Sequence, residues 1–167
     1  DQTIWVGLTT GAMCFYNNEE LTNNPVYGAL YNWYSIADPR GLCPVGWHVP
    51  SDEEWKTLEM NLGMSQSEAD RSADFRGTDE GGKLKETGTI HWVYPNIGAT
   101  NSSGFTALPA GYRMSAFYDL RNWGQWWSST SNDNATAWNR SLNFNYQRVR
   151  RDDYSKKAGS SVRCVKD

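Results

Sequence analysis

What this 167-residue chain has little of removes several classes of function. It has two histidines, His48 and His91, so histidine-based catalysis has few candidates. Its three cysteines, Cys14, Cys43 and Cys164, show no Cys-x-x-Cys spacing, which argues against a zinc site. No Gly-x-Ser-x-Gly elbow supports Ser128 or Ser129 as a nucleophile. EF-hand spacing is missing, and no apolar run approaches the length of a membrane span, so membrane insertion is not expected. A surplus of basic charge is lacking too. The net charge is −3 and the isoelectric point is about 5.4, which argues against nucleic acid as a partner. The chain opens on Asp1-Gln2-Thr3 with no leader and reads as mature or trimmed.

What is abundant is aromatic surface. Nine Trp, nine Tyr and five Phe make up 14% of a chain whose mean hydropathy is −0.72. Disordered chains are poor in aromatics, so the sequence predicts a folded, loop-rich unit. Its length suits one domain over residues 1–167, with no linker or repeat to divide it. Tyr and Trp also serve recognition, because each joins a broad apolar face to a polar tip.

Local patterns predict an α+β chain. Leu30, Trp33, Tyr34 and Ala37 fall on one helical face, giving a helix over 26–38 stopped by Pro39 and Gly41. Residues 42–50 read as a short strand between turns. Ser51 and Glu54 form a capping box, and Asp52 and Glu53 suit the positive end of a helix dipole. Trp55, Leu58 and Leu62 then give an inward face, and Gly63 closes the helix 51–62. Beyond residue 88 helical signals fade. Short strands are predicted near 105–108, 111–114, 124–128, 136–143, 146–151 and 160–165. Two helices followed by a strand-rich half make the α+β class.

The stretches 27–34, Leu42-Cys43-Pro44-Val45-Gly46-Trp47-His48-Val49-Pro50-Ser51, 81–85, 98–105, 107–113, Trp126-Trp127-Ser128 and Ser161-Val162-Arg163-Cys164-Val165 run nearly the whole chain in order. Together they resemble the Fibrobacter succinogenes major paralogous domain family of bacterial surface and secreted proteins. The resemblance implies a C-type-lectin-like fold, with two helices, a small twisted antiparallel sheet and long loops. It also implies a Cys43–Cys164 disulfide; the residues alone leave open one pair plus a free thiol, or three buried thiols. Residues 49–55 are similar to a stretch of formylglycine-generating enzymes. Some relatives resemble the variable proteins of diversity-generating retroelements, whose rewritten codons enrich Asn, Tyr, Ser and Asp near the C-terminus. The run from Asn132 to Tyr154 has that composition.

These readings converge on a secreted or surface-displayed binder with no catalytic residue. The candidate ligand-binding residues are Asn132, Asn134, Asn139, Ser141, Asn143, Asn145, Tyr146, Arg148, Arg150, Asp152 and Tyr154, bordered by Tyr118, Arg121, Asn122 and Trp123. Tyr and Arg offer large contacts and bidentate hydrogen bonds, while Asn and Ser adapt to many partners. Arg148, Arg150, Arg151, Lys156 and Lys157 make the segment basic. In an extended strand Trp126 and Trp127 alternate faces, so at least one belongs to the core. Asn132-Asp133-Asn134 and Asp152-Asp153 carry oxygen ligands that suit structural Ca²⁺, but the same residues are common turn formers, and no cofactor is expected. The Glu-Pro-Asn and Gln-Pro-Asp signatures of calcium-dependent sugar binding are missing. The expected partner is a protein or glycan on another cell, met by one part of a larger surface protein. The alternatives are a structural module of a cell-envelope protein and a degenerate relative of formylglycine-generating enzymes.

Overall fold

The computed structural model describes residues 2–167. Its elements run α1 (Gln2–Gly7), β1 (Met13–Cys14), a 3-10 turn (Tyr16–Asn18), α2 (Glu20–Tyr27), β2 (Leu30–Tyr31), α3 (Trp33–Ile36), β3 (Trp47–His48), α4 (Asp52–Asn61), α5 (Gln66–Asp70), β4 (Asp74–Arg76) and α6 (Glu80–Leu84). Strands follow: β5 (Tyr112–Arg113), β6 (Phe117–Tyr118), β7 (Trp123–Ser131), β8 (Thr136–Asn143), β9 (Val149–Ser155) and β10 (Val165–Lys166). All the described helices lie before residue 85 and the longer strands after it, which makes an α+β chain with small antiparallel sheets. Short helices α1, α5 and α6 add to what the sequence marks.

The helix at 52–61 is the one the sequence marks most strongly. The Ser51 hydroxyl accepts from Glu54 N, and Ser51 N donates to Glu54 Oε2 at 2.8 Å, which closes the capping box. The expected helix over 26–38 is instead three pieces. Gly28 takes φ +72°, outside the helical region, and ends α2. Leu30 and Tyr31 then pair with Cys14 and Met13. Asn32 restarts the chain as the cap of α3, its side chain accepting from Ser35 N and Ala12 N. The helical spacing of Leu30 and Trp33 therefore feeds two separate clusters, one around Trp5 and Cys14 and one around Trp127. The expected strand at 105–108 reduces to one bridge between Ala107 and Lys85.

The four-stranded sheet, ordered β4-β9-β8-β7, organises the rest. Side chains alternate across its faces. On the inner face lie Trp126, Arg140, Leu142, Arg151, Val149 and Arg76, set side by side by the register. This face packs on α4 and on a core of Trp55, Leu84, Trp92 and Trp126. It also holds a buried ion network. Glu59 accepts from Arg76 Nη2 at 2.7 and 2.8 Å and from Arg140 Nε at 2.7 Å. Asp52 accepts from Arg140 Nη1 at 2.7 Å and from Arg151 Nη2 at 2.6 Å. Burial alone would raise the Asp52 pKa, but the two guanidiniums hold it near 2. Asp52 thus serves an interior network rather than only the helix dipole, while Glu53 stays exposed.

Trp126 and Trp127 are both buried, on opposite faces of β7. Cys43 and Cys164 form a disulfide, beside the pairing of β3 with β10. Cys14 is a buried free thiol whose pKa burial raises. Gly81 and Gly82 let α6 approach other backbone closely. A Cβ on Gly81 would lie 2.4 Å from Arg148 O, and one on Gly82 2.1 Å from Gly98 O. No described helix is long and apolar enough to cross a membrane.

Candidate functional site

The outer face of the same sheet presents Trp123, Gln125 and Trp127 from β7, Ser141, Asn139 and Ala137 from β8, and Arg150, Asp152 and Tyr154 from β9. Part of it is covered. Trp127 and Ala137 are buried against Ala158, with Trp33, Ile36 and Val162 around them. Asn139 is buried as well, and its Nδ2 donates to Ser160 Oγ at 3.4 Å. The uncovered part forms a pocket of about 180 Å³ lined by Tyr112, Asp119, Trp123, Gln125, Ser141, Arg150, Asp152 and Tyr154. Larger open grooves of about 360 and 570 Å³ follow Met13 and Tyr31, away from the sheet.

The pocket joins rings to fixed polar groups. Arg150 Nε and Nη2 both donate to Asp152 Oδ2, at 2.9 and 2.5 Å. The Tyr112 ring stacks on Tyr118 at 5.5 Å and meets Tyr154 edge-on at 6.0 Å. Burial, then the nearby Tyr154 and Asp119, push the Tyr112 phenol well above its ordinary range, so it stays protonated at neutral pH. On the floor, Gln125 and Ser141 are 3% exposed, and Ser141 Oγ donates to Asn139 Oδ1 at 3.0 Å. Beside the pocket, Trp123 and Tyr146 stack on Phe75 at 5.9 and 4.0 Å.

Trp123, Ser141, Arg150, Asp152 and Tyr154 are the sequence candidates that the fold brings together here. Tyr146 and Tyr118 stand beside them, 41% and 39% exposed. Other candidates lie elsewhere. Asn132 and Asn134 are exposed in the β7–β8 turn, and Asn145 and Arg148 in the β8–β9 turn. Asn143 is buried; it accepts from Asn145 N at 2.8 Å and donates to Asn122 O at 3.3 Å. Arg121 is exposed and has φ +69°. Its guanidinium donates to the carbonyls of Thr89, Ile90 and His91, tying that loop to the sheet end. The pocket residues not foreseen are Tyr112, Asp119 and Gln125. The two-residue period of β7 does place Gln125 on the face of Trp123. Tyr112 and Asp119 carried no such signal, because they arrive from β5 and a loop.

The basic character expected of 148–157 largely disappears on folding. Strand alternation sends Arg151 inward to Asp52, and Lys156 is buried, donating to Asp133 O at 2.7 Å over the Trp33 ring. Arg150 is neutralised by Asp152. The oxygen-rich turn behaves as a turn: Asp133 Oδ1 accepts from Ala135 N and Thr136 N, both at 2.7 Å. Among the described residues no cluster of three His, Cys, Asp or Glu side chains could hold a metal. His48 is partly exposed. It bridges Asp167 at 2.6 Å and Glu54 at 2.7 Å, which raises its pKa. His91 pairs with Glu86. Ser128 is fully buried.

One buried cation organises the rim. The Lys85 ammonium donates to the carbonyls of Ile97, Asn143 and Tyr146 at 2.9–3.1 Å, and burial lowers its pKa to about 8. It joins the 86–98 loop to the β8–β9 turn that carries Tyr146.

The family model described as the Fibrobacter succinogenes major domain matches residues 2–166. Comparisons with curated proteins and with solved structures found no match.

Proposed function

We propose that this chain, which belongs to the Fibrobacter succinogenes major domain family, is a non-enzymatic recognition domain. It holds its partner on the outer face of β7–β9. The observation that carries this reading is the division of the sheet. Its inner face is locked by core and ion network, while part of its outer face is an open pocket where aromatic, acidic, amide and guanidinium groups converge. A rigid frame limits the entropy lost on binding, so a small polar-aromatic face yields useful affinity.

The same division suits a C-type-lectin-like scaffold, and we assign the chain to that architecture. Its place is the cell surface or the secreted fraction, where the Cys43–Cys164 disulfide persists. The partner is a protein or glycan of another cell. A diversified face fits this arrangement. The codons rewritten would be those of pocket residues such as Arg150, Asp152 and Tyr154, and sequencing the locus across a population reads this directly.

A second reading has one observation behind it. Asp119 and Asp152 line one pocket, and glycoside hydrolysis uses paired carboxylates. Asp152, however, serves as the counterion of Arg150. Turnover of nitrophenyl glycosides that is lost in Asp119→Asn would establish the enzyme instead.

The test of recognition is flow cytometry with the biotinylated chain on a panel of bacterial and eukaryotic cells. Trp123→Ala combined with Arg150→Ala should weaken labelling about tenfold or more, and Asn134→Ala should leave it unchanged. Equal labelling by all three chains would overturn the reading.

A further inference from the structure

We infer that the outer-face pocket is a glycan site: it takes one neutral sugar ring, and the next ring of the chain lies on Tyr146. This rests on the recognition reading above and adds the chemical class of the ligand.

Size comes first. A pocket of about 180 Å³ lies below the roughly 300–1,000 Å³ of sites for drug-sized ligands. It admits one small ring, not a helix or a length of peptide.

The polar lining then selects among small groups. Gln125 is 3% exposed and lines the pocket. Its Oε1 accepts from Ser160 Oγ at 3.5 Å, and its amide N–H groups have no protein acceptor among the described residues. They open on the pocket as donors left for a ligand. Asp152 uses Oδ2 for both Arg150 bonds, so Oδ1 remains an acceptor. The second terminal nitrogen of Arg150 remains a donor, and Asp119 adds a carboxylate beside the Tyr112 hydroxyl. Donors and acceptors therefore alternate around one small space. An ammonium group only donates and would face Gln125 and Arg150 unpaired. A phosphate or carboxylate only accepts and would face Asp119 and Asp152. A hydroxyl does both, and adjacent hydroxyls on one ring match the mixed set.

The apolar lining fits the same ligand. Trp123, Tyr112 and Tyr154 offer ring surface to the C–H face of a sugar. From Trp123 a stacked ledge continues through Phe75, at 5.9 Å, to Tyr146, at 4.0 Å from Phe75. Tyr146 is 41% exposed, so the ledge leads out of the pocket along a second ring.

The experiment applies the full chain to an array of glycans ending in neutral hexoses, N-acetylhexosamines or sialic acid. Calorimetry follows with the best neutral disaccharide and the methyl glycoside of its terminal ring. We expect neutral-ended glycans to bind. Gln125→Met, close in volume to the wild type, should weaken both titrated ligands about tenfold at an unchanged melting temperature. Should Gln125→Met not fold, Asp119→Asn carries the same expectation. Tyr146→Ala should weaken the disaccharide and spare the methyl glycoside. No neutral hit, binding of acidic glycans alone, or indifference to the pocket variants would overturn the inference. Periodate treatment of the cells labelled above separates the two claims. Labelling that survives periodate yet is lost in Trp123→Ala with Arg150→Ala overturns the sugar and keeps recognition. No labelling of any cell before treatment overturns both.

Discussion

Glu59 has no exposed surface and sits between the guanidiniums of Arg76 and Arg140. Removing one partner of such a network leaves buried charges uncompensated, at a cost of about 3–5 kcal/mol. Glu59→Ala should lower stability to urea by that amount; a loss below about 1 kcal/mol would contradict the network's role. Asp52 gives the acid limb. Its folded pKa, near 2, lies below the ordinary 3.8. Its contribution, about 2 kcal/mol, is therefore full above pH 4 and lost as pH falls towards 2. Asp52→Asn should flatten that part of a stability profile against pH. The sequence shows these residues only in retrospect. Asp52, Lys56 and Glu59 follow i, i+4, i+7 spacing on α4, a buried stripe written in charges. Charges at the start of a helix read first as dipole partners, and the true partners of Asp52, Arg140 and Arg151, lie 88 and 99 residues away.

Elements were legible where their cause is local. The capping box at Ser51 and Glu54 needs nothing beyond its own turn, and the 52–61 helix follows. The strand expected over 136–143 coincides with β8. The helix over 26–38 failed because Gly28 and Asn32 divide it, and the gain that favours division comes from β1 and from the outer-face cluster. Loops of the rim were illegible for the same reason, since Lys85 reaches residues 97, 143 and 146. Lys85→Met would orphan three carbonyls, each a loss of about 1–3 kcal/mol. Amide exchange across 94–98 and 143–147 should accelerate at least about tenfold, while the β7–β8 amides stay protected. Uniform acceleration over the whole sheet would show instead that Lys85 supports the entire fold.

At the scale of the molecule, the Cys43–Cys164 link closes a loop of 121 residues. A crosslink of that span contributes about 4–5 kcal/mol by chain entropy, so reduction should lower the melting temperature clearly without changing which residues line the pocket. The strand-rich second half was readable from composition and period, and so was the segment that supplies Ser141, Arg150, Asp152 and Tyr154 to the pocket. Which Asn and Arg side chains reach the pocket was not. Asn139, Asn143 and Arg151 look exchangeable in sequence and are buried in the fold. The central claim is that frame and face are separable: the inner side of the sheet holds the fold and the outer pocket is free for recognition. A display experiment measures this most directly. One library randomises Tyr118, Tyr146, Arg150 and Asp152, a second randomises Arg76, Glu59, Arg140 and Arg151, and protease resistance counts the folded clones. The account predicts that most outer-face clones stay folded, because changes on such a surface usually cost within about 0.5 kcal/mol each, and that few inner-face clones do. An outer-face library that collapses as fully as the inner one would contradict it.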